Sequence, residues 1–202
     1  MIVVIDYGIG NTGSVVNALD KLGIKNRISS DPGVIKKAKG LILPGVGAAG
    51  QGMENLKKRN LDKLIINQLK LGKPFLGICL GMQLLFEKSE EGNASCLGIF
   101  KGVVKKFKNE RKIPQIGWNN VGIRNYELRI MEKIKDNSYF YFVNSYYCKP
   151  DDKSIIVGKT TYGETFASVV AKDNVVGVQF HPEKSGAIGF QLLKNFINYY
   201  VS

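Results

Sequence analysis

Histidine is almost missing from this 202-residue chain, which has one, His181. Cysteine is scarce as well: Cys79, Cys96 and Cys148 are an odd number at no metal-ligand spacing, which argues against a disulfide framework and against a bound metal. No apolar run is long enough to span a bilayer, and Met1-Ile2-Val3-Val4-Ile5-Asp6 is too short, and too poor in basic residues, for a signal peptide. These absences lead us to expect a soluble protein of a reducing cytoplasm, with no membrane contact. Acidic residues are few, 17 against 29 lysines and arginines, leaving a formal net charge of +12. The densest basic stretch, 101–112, lacks the arginine-aromatic alternation or helix-turn-helix pattern of a nucleic-acid surface. It reads as the solvated edge of a hairpin, and the positive field could also steer an acidic partner or anionic metabolite. Repeats and low-complexity linkers are absent, and a 44% hydrophobic content suits one compact domain over 1–202.

The first half alternates short apolar runs with amphipathic stretches, the rhythm of βαβ units. Strands are expected at Ile2 to Ile5, Asn26 to Ser29, Leu41 to Leu43 and Phe75 to Ile78, with a helix from about Thr12 to Leu22. Asp31 before Pro32 is a helix start, and Gly72 after the Leu61 to Leu71 run is a helix stop. The second half is richer in strand-like segments: Gly98 to Phe107, Tyr139 to Tyr147, Ile155 to Thr161, Thr165 to Ala171 and Val175 to Phe180, with a turn at Asp173-Asn174 between the last two. Apolar residues at helical spacing from Ser185 to Tyr200 would cover the sheet. The fold class is therefore α/β, a three-layer sandwich whose mostly parallel central sheet carries antiparallel additions.

Within that frame, Gly77-Ile78-Cys79-Leu80-Gly81 stands between an apolar strand and a helix-like run, the G-x-[S/C]-x-G pattern of a nucleophile elbow. A buried cysteine is ordinarily a small hydrophobe, but such a residue does not need flanking glycines that permit a strained turn and close backbone approach. The elbow would also set Cys79 at the amino end of a helix, where free N–H groups favour a thiolate. Cys96 and Cys148 lack these surroundings and are assigned to packing. His181 follows the last apolar strand and precedes a proline, so it belongs on a strand-end loop, and Glu183 is placed to orient its ring. Cysteine, histidine and carboxylate together make a nucleophilic triad.

The chain resembles the triad, or class I, glutamine amidotransferases, whose marks G-[IV]-C-x-G-x-Q and F-H-P-E are both present. The likeness is greatest to the branch comprising the glutaminase subunits of imidazole glycerol phosphate synthases. It rests on Asp6 to Asn11, Leu43 to Gly47, Gly52-Met53, Cys79 to Glu91, Gly117-Trp118-Asn119, Tyr141 to Tyr146 and Gln179 to Gly186. The resemblance implies hydrolysis of L-glutamine without a cofactor, with Cys79 as nucleophile, His181 as proton donor and Glu183 as its support. It further implies an oxyanion hole from the backbone N–H groups of Leu80 and, after a rearrangement, Val46. Gly47, Gln83, Glu91, Ser145 and Tyr146 are implied to hold the glutamine, although taken alone Gln83 and Glu91 would read as helix surface. The ammonia would pass to a (βα)8-barrel cyclase partner in a heterodimer, with Asn11 and Trp118 at the interface. Gln115 and Asn144 depart from this pattern, since the family commonly has histidine at both.

Other readings use the same residues. A paralogue could deliver ammonia to another acceptor, such as a surface-polysaccharide sugar. A thiol peptidase would use the same triad, and a binding module could keep the fold without turnover. Gly8-Ile9-Gly10-Asn11-Thr12-Gly13 is a literal G-x-G-x-x-G, with Asp31 about 20 residues on, as a dinucleotide site expects. Against it, Asp31 is better used as a helix cap, and the cysteine elbow is left without a purpose.

Overall fold

The computed structural model describes residues 1–108, 112–125 and 128–201. Its strands are β1 (Ile2–Ile5), β2 (Asn26–Ser29), β3 (Gly40–Gly45), β4 (Phe75–Cys79), the two-residue β5 (Lys88–Ser89) and β6 (Ala94–Ser95), β7 (Gly102–Lys106) and β8 (Gln115–Ile123). They continue with β9 (Ser138–Asn144), β10 (Tyr146–Pro150), β11 (Ile156–Tyr162), β12 (Glu164–Lys172) and β13 (Val175–Val178). The helices are α1 (Thr12–Lys21), α2 (Pro32–Lys37), α3 (Ala49–Lys58), α4 (Leu61–Lys70), the single turn α5 (Leu80–Gln83) and α6 (Gly186–Phe196).

Five strands run parallel in the order β2-β1-β3-β4-β13. Every residue of β1, β3, β4 and β13 is buried, which is why they read as unbroken apolar runs and not as alternating ones. Side chains alternate across the sheet, so Val3, Ile5, Leu41 and Leu43 join one core with Ile35, Leu56 and Ile65 of α2, α3 and α4. Val4, Ile42, Leu76 and Ile78 join the opposite core with Val15 and Leu19 of α1 and Leu192 and Phe196 of α6. Two apolar cores on opposite faces of one sheet make the three layers. Beyond β13 the sheet turns antiparallel through β12 and β10 to β7, while β11, β8 and β9 extend from β12 as a ribbon.

Local signals set the element ends. Asp31 Oδ1 accepts from Val34 N at 2.7 Å with Pro32 opening α2. Gly72, at φ +80°, stops the α4 segment, and Asp173, at φ 52°, makes the turn from β12 to β13.

Several expectations are corrected. The run from Gly98 becomes a strand only at Gly102, and β7 is no edge, because β10 pairs along one side and β5 along part of the other. Arg111, in the basic stretch, lies outside the described residues. The Tyr139 to Tyr147 segment is two strands broken at Ser145. The long strand β8 and the helix α3 carry weak patterns, since β8 includes Gly117, Asn119 and Asn120 and α3 has two glycines, so periodicity did not reveal them. The last helix ends at Phe196 and widens into a π-helical turn over Ile197–Val201.

Candidate active site

Neighbouring parallel strands deliver the site. Cys79 ends β4 opposite Gly45, the last residue of β3, while Ile78 pairs with Val178, the last residue of β13. The nucleophile, the Val46-Gly47 loop and the His181 loop therefore leave adjacent carboxyl ends, the edge where open α/β sheets place ligands. Cys79 has φ 54° and ψ −110°, a conformation costly for a residue with a Cβ. The flanking glycines make it possible. A Cβ on Gly77 would sit 2.6 Å from the Gly81 carbonyl oxygen, and one on Gly81 would overlap the Leu43 carbonyl. The helix that follows, α5, is shorter than the sequence suggests, so its dipole is that of one turn.

His181 and Glu183 are brought together by a short 3-10 turn, Pro182–Lys184. His181 Nδ1 lies 2.9 Å from Glu183 Oε1, and both side chains are buried. The His181 N–H donates to the Tyr141 carbonyl at 2.9 Å, and Ser185 Oγ donates to the His181 carbonyl at 2.7 Å, so the loop is held at both faces. With Nδ1 committed to Glu183, Nε2 is left for the sulfur. Burial works against a charged ring, but hydrogen bonds with Cys79 and Glu183 outweigh it and raise the His181 pKa to about 10. The ring is thus an imidazolium at neutral pH, the form that can give a proton away. Since this folded value lies above the ordinary value of about 6.5, the charged ring stabilises the fold fully below about pH 6.5. That contribution is lost as pH rises towards about 10. As the one histidine, it gives one imidazole NMR signal, expected to titrate near pH 10 and to fall in Cys79→Ala. A midpoint near 6.5 in the wild-type chain would exclude the pair.

The Cys79 sulfur lies 3.7 Å from the Val143 carbonyl oxygen and 3.6 Å from Gln179 Nε2. It opens on a cavity of about 340 Å³ lined by Val46, Gly47, Leu80, Gln83, Glu91, Ser145 and Tyr146, among others. All seven residues named from sequence for glutamine and the oxyanion therefore meet at one place. His181 and Glu183 lie behind the sulfur and do not line the cavity. Gln83 is no helix-surface residue: it is 5% exposed, and its Nε2 donates to the Tyr146 carbonyl and to Gln179 Oε1, each at 3.1 Å. Glu91 is not on a helix surface either; it opens a 3-10 turn, and its Oε2 accepts from Ala49 N at 2.8 Å at the start of α3. Burial, then the carboxylates of Glu91 and Glu90, hold the Tyr146 hydroxyl above its ordinary pKa.

Sequence reading passed over Gln179, fully buried behind the sulfur, although a polar residue inside the otherwise apolar Val175 to Phe180 run was a signal for it. Nor could it show that Gln115 and Asn144 face each other across β8 and β9. Both are buried, and Gln115 Oε1 and Asn144 Oδ1 have no partner among the described residues. Cys148 is fully buried and Cys96 partly so, as packing residues should be. The two interface candidates part company. Asn11 Oδ1 caps α1 by accepting from Ser14 N at 3.2 Å, whereas Trp118 is 56% exposed with its ring edge-on to Tyr141. The dinucleotide pattern is filled from within: Arg59 donates to the Tyr7 carbonyl and lies against Gly8, and Asp31 is spent as the α2 cap.

Residues 3–199 match the family described as glutamine amidotransferase class-I. The chain is 50% identical over 196 residues to the imidazole glycerol phosphate synthase subunit HisH of Aquifex aeolicus, covering 96% of this chain and 94% of that one. It is 48% identical to subunit HisH 2 of Methanococcus maripaludis, covering 98% of both. Among solved structures it is similar to PurLQS from Thermotoga maritima, with a TM-score of 0.79 at 18% identity over 98% of this chain and 97% of that one. A glutamine amidotransferase crystal structure gives 0.77 at 16% identity over the same shares. At such identities these two likenesses speak for the fold.

Proposed function

Because this chain belongs to the class-I glutamine amidotransferases, we propose that Cys79, His181 and Glu183 are the triad with which it hydrolyses L-glutamine as the glutaminase subunit of an imidazole glycerol phosphate synthase. The activity and pathway follow from relatives at 42–50% identity over nearly the whole chain, all carrying that subunit's name. The same names do not favour an acceptor outside histidine biosynthesis. The observation that carries the site assignment is the cysteine at a left-handed elbow, with its sulfur between the buried His181–Glu183 pair and the cavity.

In this reading the Cys79 thiolate attacks the side-chain carbonyl carbon of glutamine, and the C=O electron pair moves onto oxygen. That oxyanion is met by the N–H groups of Leu80 and, once the loop turns, Val46; losing one such donor costs about 2.7 to 4 kcal/mol in related chemistry. The tetrahedral species collapses, the C–N bond breaks, and the nitrogen leaves as ammonia with the proton held by His181. A water then attacks the thioester while His181 takes its proton, and glutamate departs as the Cys79 thiolate is restored. Glu183 keeps the ring in the orientation both transfers need. Gly47, Gln83, Glu91, Ser145 and Tyr146 surround the rest of the substrate.

Ammonia released to water would protonate and diffuse away, so the chemistry calls for a closed route to a second subunit. We assign that subunit a (βα)8-barrel fold, and its docking face to the outward side of the β8–β9 ribbon. Ile116, Trp118 and Tyr139 are 59%, 56% and 60% exposed there. This face adjoins the site directly, since the Tyr141 and Val143 carbonyls on β9 contact the His181 backbone and the Cys79 sulfur. Ammonia release from glutamine should rise strongly when the same organism's cyclase and its nucleotide substrate are added. No stimulation, with Cys79 still labelled by a glutamine-analogue inhibitor, would overturn the pathway and leave the chemistry standing.

A further inference from the structure

We propose that Gln179 is a further catalytic residue, whose side-chain N–H stabilises the Cys79 thiolate and whose orientation is set by Gln83 in the glutamine cavity. The inference rests on the reading of Cys79 as nucleophile. Gln179 follows β13 and is fully buried, so both ends of its amide require partners. The oxygen and nitrogen of an amide are nearly identical in shape, and the surrounding network decides which is which. Here the decision starts from a group that can only accept. The Tyr146 carbonyl lies 3.1 Å from Gln83 Nε2, so that atom must be the NH2 of Gln83. Its second hydrogen points to the near end of the Gln179 amide, also 3.1 Å away, which must therefore be oxygen. The far end is then the NH2, and it faces the sulfur at 3.6 Å. The reverse orientation would set two donors against each other at one end and an oxygen against sulfur at the other.

The remaining neighbours show why this donor matters. The Val143 carbonyl, 3.7 Å from the sulfur, accepts the thiol proton and has nothing to offer the thiolate. Once the proton has gone, His181 is the charged partner of the sulfur and Gln179 a neutral one. Among the described residues, the other titratable groups around Cys79 are Glu183 behind His181, Glu91 and Tyr146 on the cavity lining, and the Tyr7 hydroxyl and Cys148 thiol, the last two held neutral by burial. Gln83 lines the cavity and Gln179 does not, so contact between substrate and Gln83 reaches the sulfur through two hydrogen bonds that share the Gln179 amide.

The test measures the pH dependence of Cys79 alkylation by iodoacetamide, located by peptide mass, together with glutaminase kinetics of the full chain with its synthase subunit. Gln179→Met keeps the length and removes the donor. Its alkylation midpoint should move up by about one pH unit, and kcat should fall about ten- to a hundredfold, with KM for glutamine changing less than about threefold. Gln179→Glu places a carboxylate beside the sulfur and should move the midpoint further than Gln179→Met. Gln83→Met frees the Gln179 amide to turn; its midpoint should move in the same direction, and less. It also supplies the reading if Gln179→Met does not fold. A residue that only fills space would lower the melting temperature and leave the midpoint where it was. An unmoved midpoint in folded Gln179→Met, with wild-type Cys79 still reactive, overturns the role of Gln179 alone. Turnover that survives Cys79→Ala overturns the reading beneath it.

Discussion

Cys79→Ala is expected to release no measurable ammonia from glutamine while still binding the synthase subunit. Removing the nucleophile of an acyl-transfer triad costs on the order of a millionfold in kcat, because the remaining groups have no bond to make. Binding should survive, since Cys79 is buried at the end of β4 and the exposed aromatic face lies on the β8–β9 ribbon. The same position predicts a stability difference between two inactive variants. At φ 54° and ψ −110° a Cβ is a burden, and such strain is worth about 1 to 3 kcal/mol. Alanine retains the Cβ and the strain, whereas glycine adopts this region freely. Cys79→Gly should therefore melt higher than Cys79→Ala, with both at zero turnover. Equal melting temperatures would show that the elbow is unstrained, and residual turnover in either variant would remove Cys79 from the mechanism.

Glu183→Gln is the second large effect. Glutamine keeps the volume of the buried carboxyl and removes its charge, leaving His181 without the anion that supports its imidazolium. It can also present an N–H to Nδ1 and favour the wrong tautomer. In a serine triad the equivalent change costs about 10⁴ in kcat with the geometry intact. Glu183 sits two residues from His181 on a tight turn and is held by packing, so a fall of about a hundredfold or more is expected, with partner binding unchanged. The His181 midpoint should fall from about 10, because hydrogen bonding and charge from Glu183 both raise it. Glu183 Oε2 has no partner among the described residues, so the variant need not break a second hydrogen bond. Unchanged kcat with a lowered midpoint would separate the support of His181 from catalysis.

Local physics made the elements around the site readable. A buried parallel strand must be apolar throughout, a helix start needs a capping side chain such as Asp31, and the elbow needs glycine at Gly77 and Gly81. These demands act between residues close in sequence. The Ser145 break between β9 and β10 was hidden because strands on both sides carry the same aromatic pattern, and β8 because glycine and asparagine mask its alternation. The helix-surface reading of Gln83 and Glu91 failed for a related reason: nothing in the single turn α5, or in the three-residue turn that Glu91 opens, reveals that β10 meets the first and α3 the second.

What the sequence determined by itself is the α/β class, the order of the elements around Cys79 and the chemical types of the catalytic groups, all properties of short range along the chain. What the tertiary structure decided is which groups meet. It set Gly45 beside Cys79, placed Gln179 against a sulfur 100 residues away and paired Gln115 with Asn144 across two strands. Such contacts depend on strand order and register, which follow from burying two cores on one sheet at once. No local pattern along the chain carries that condition.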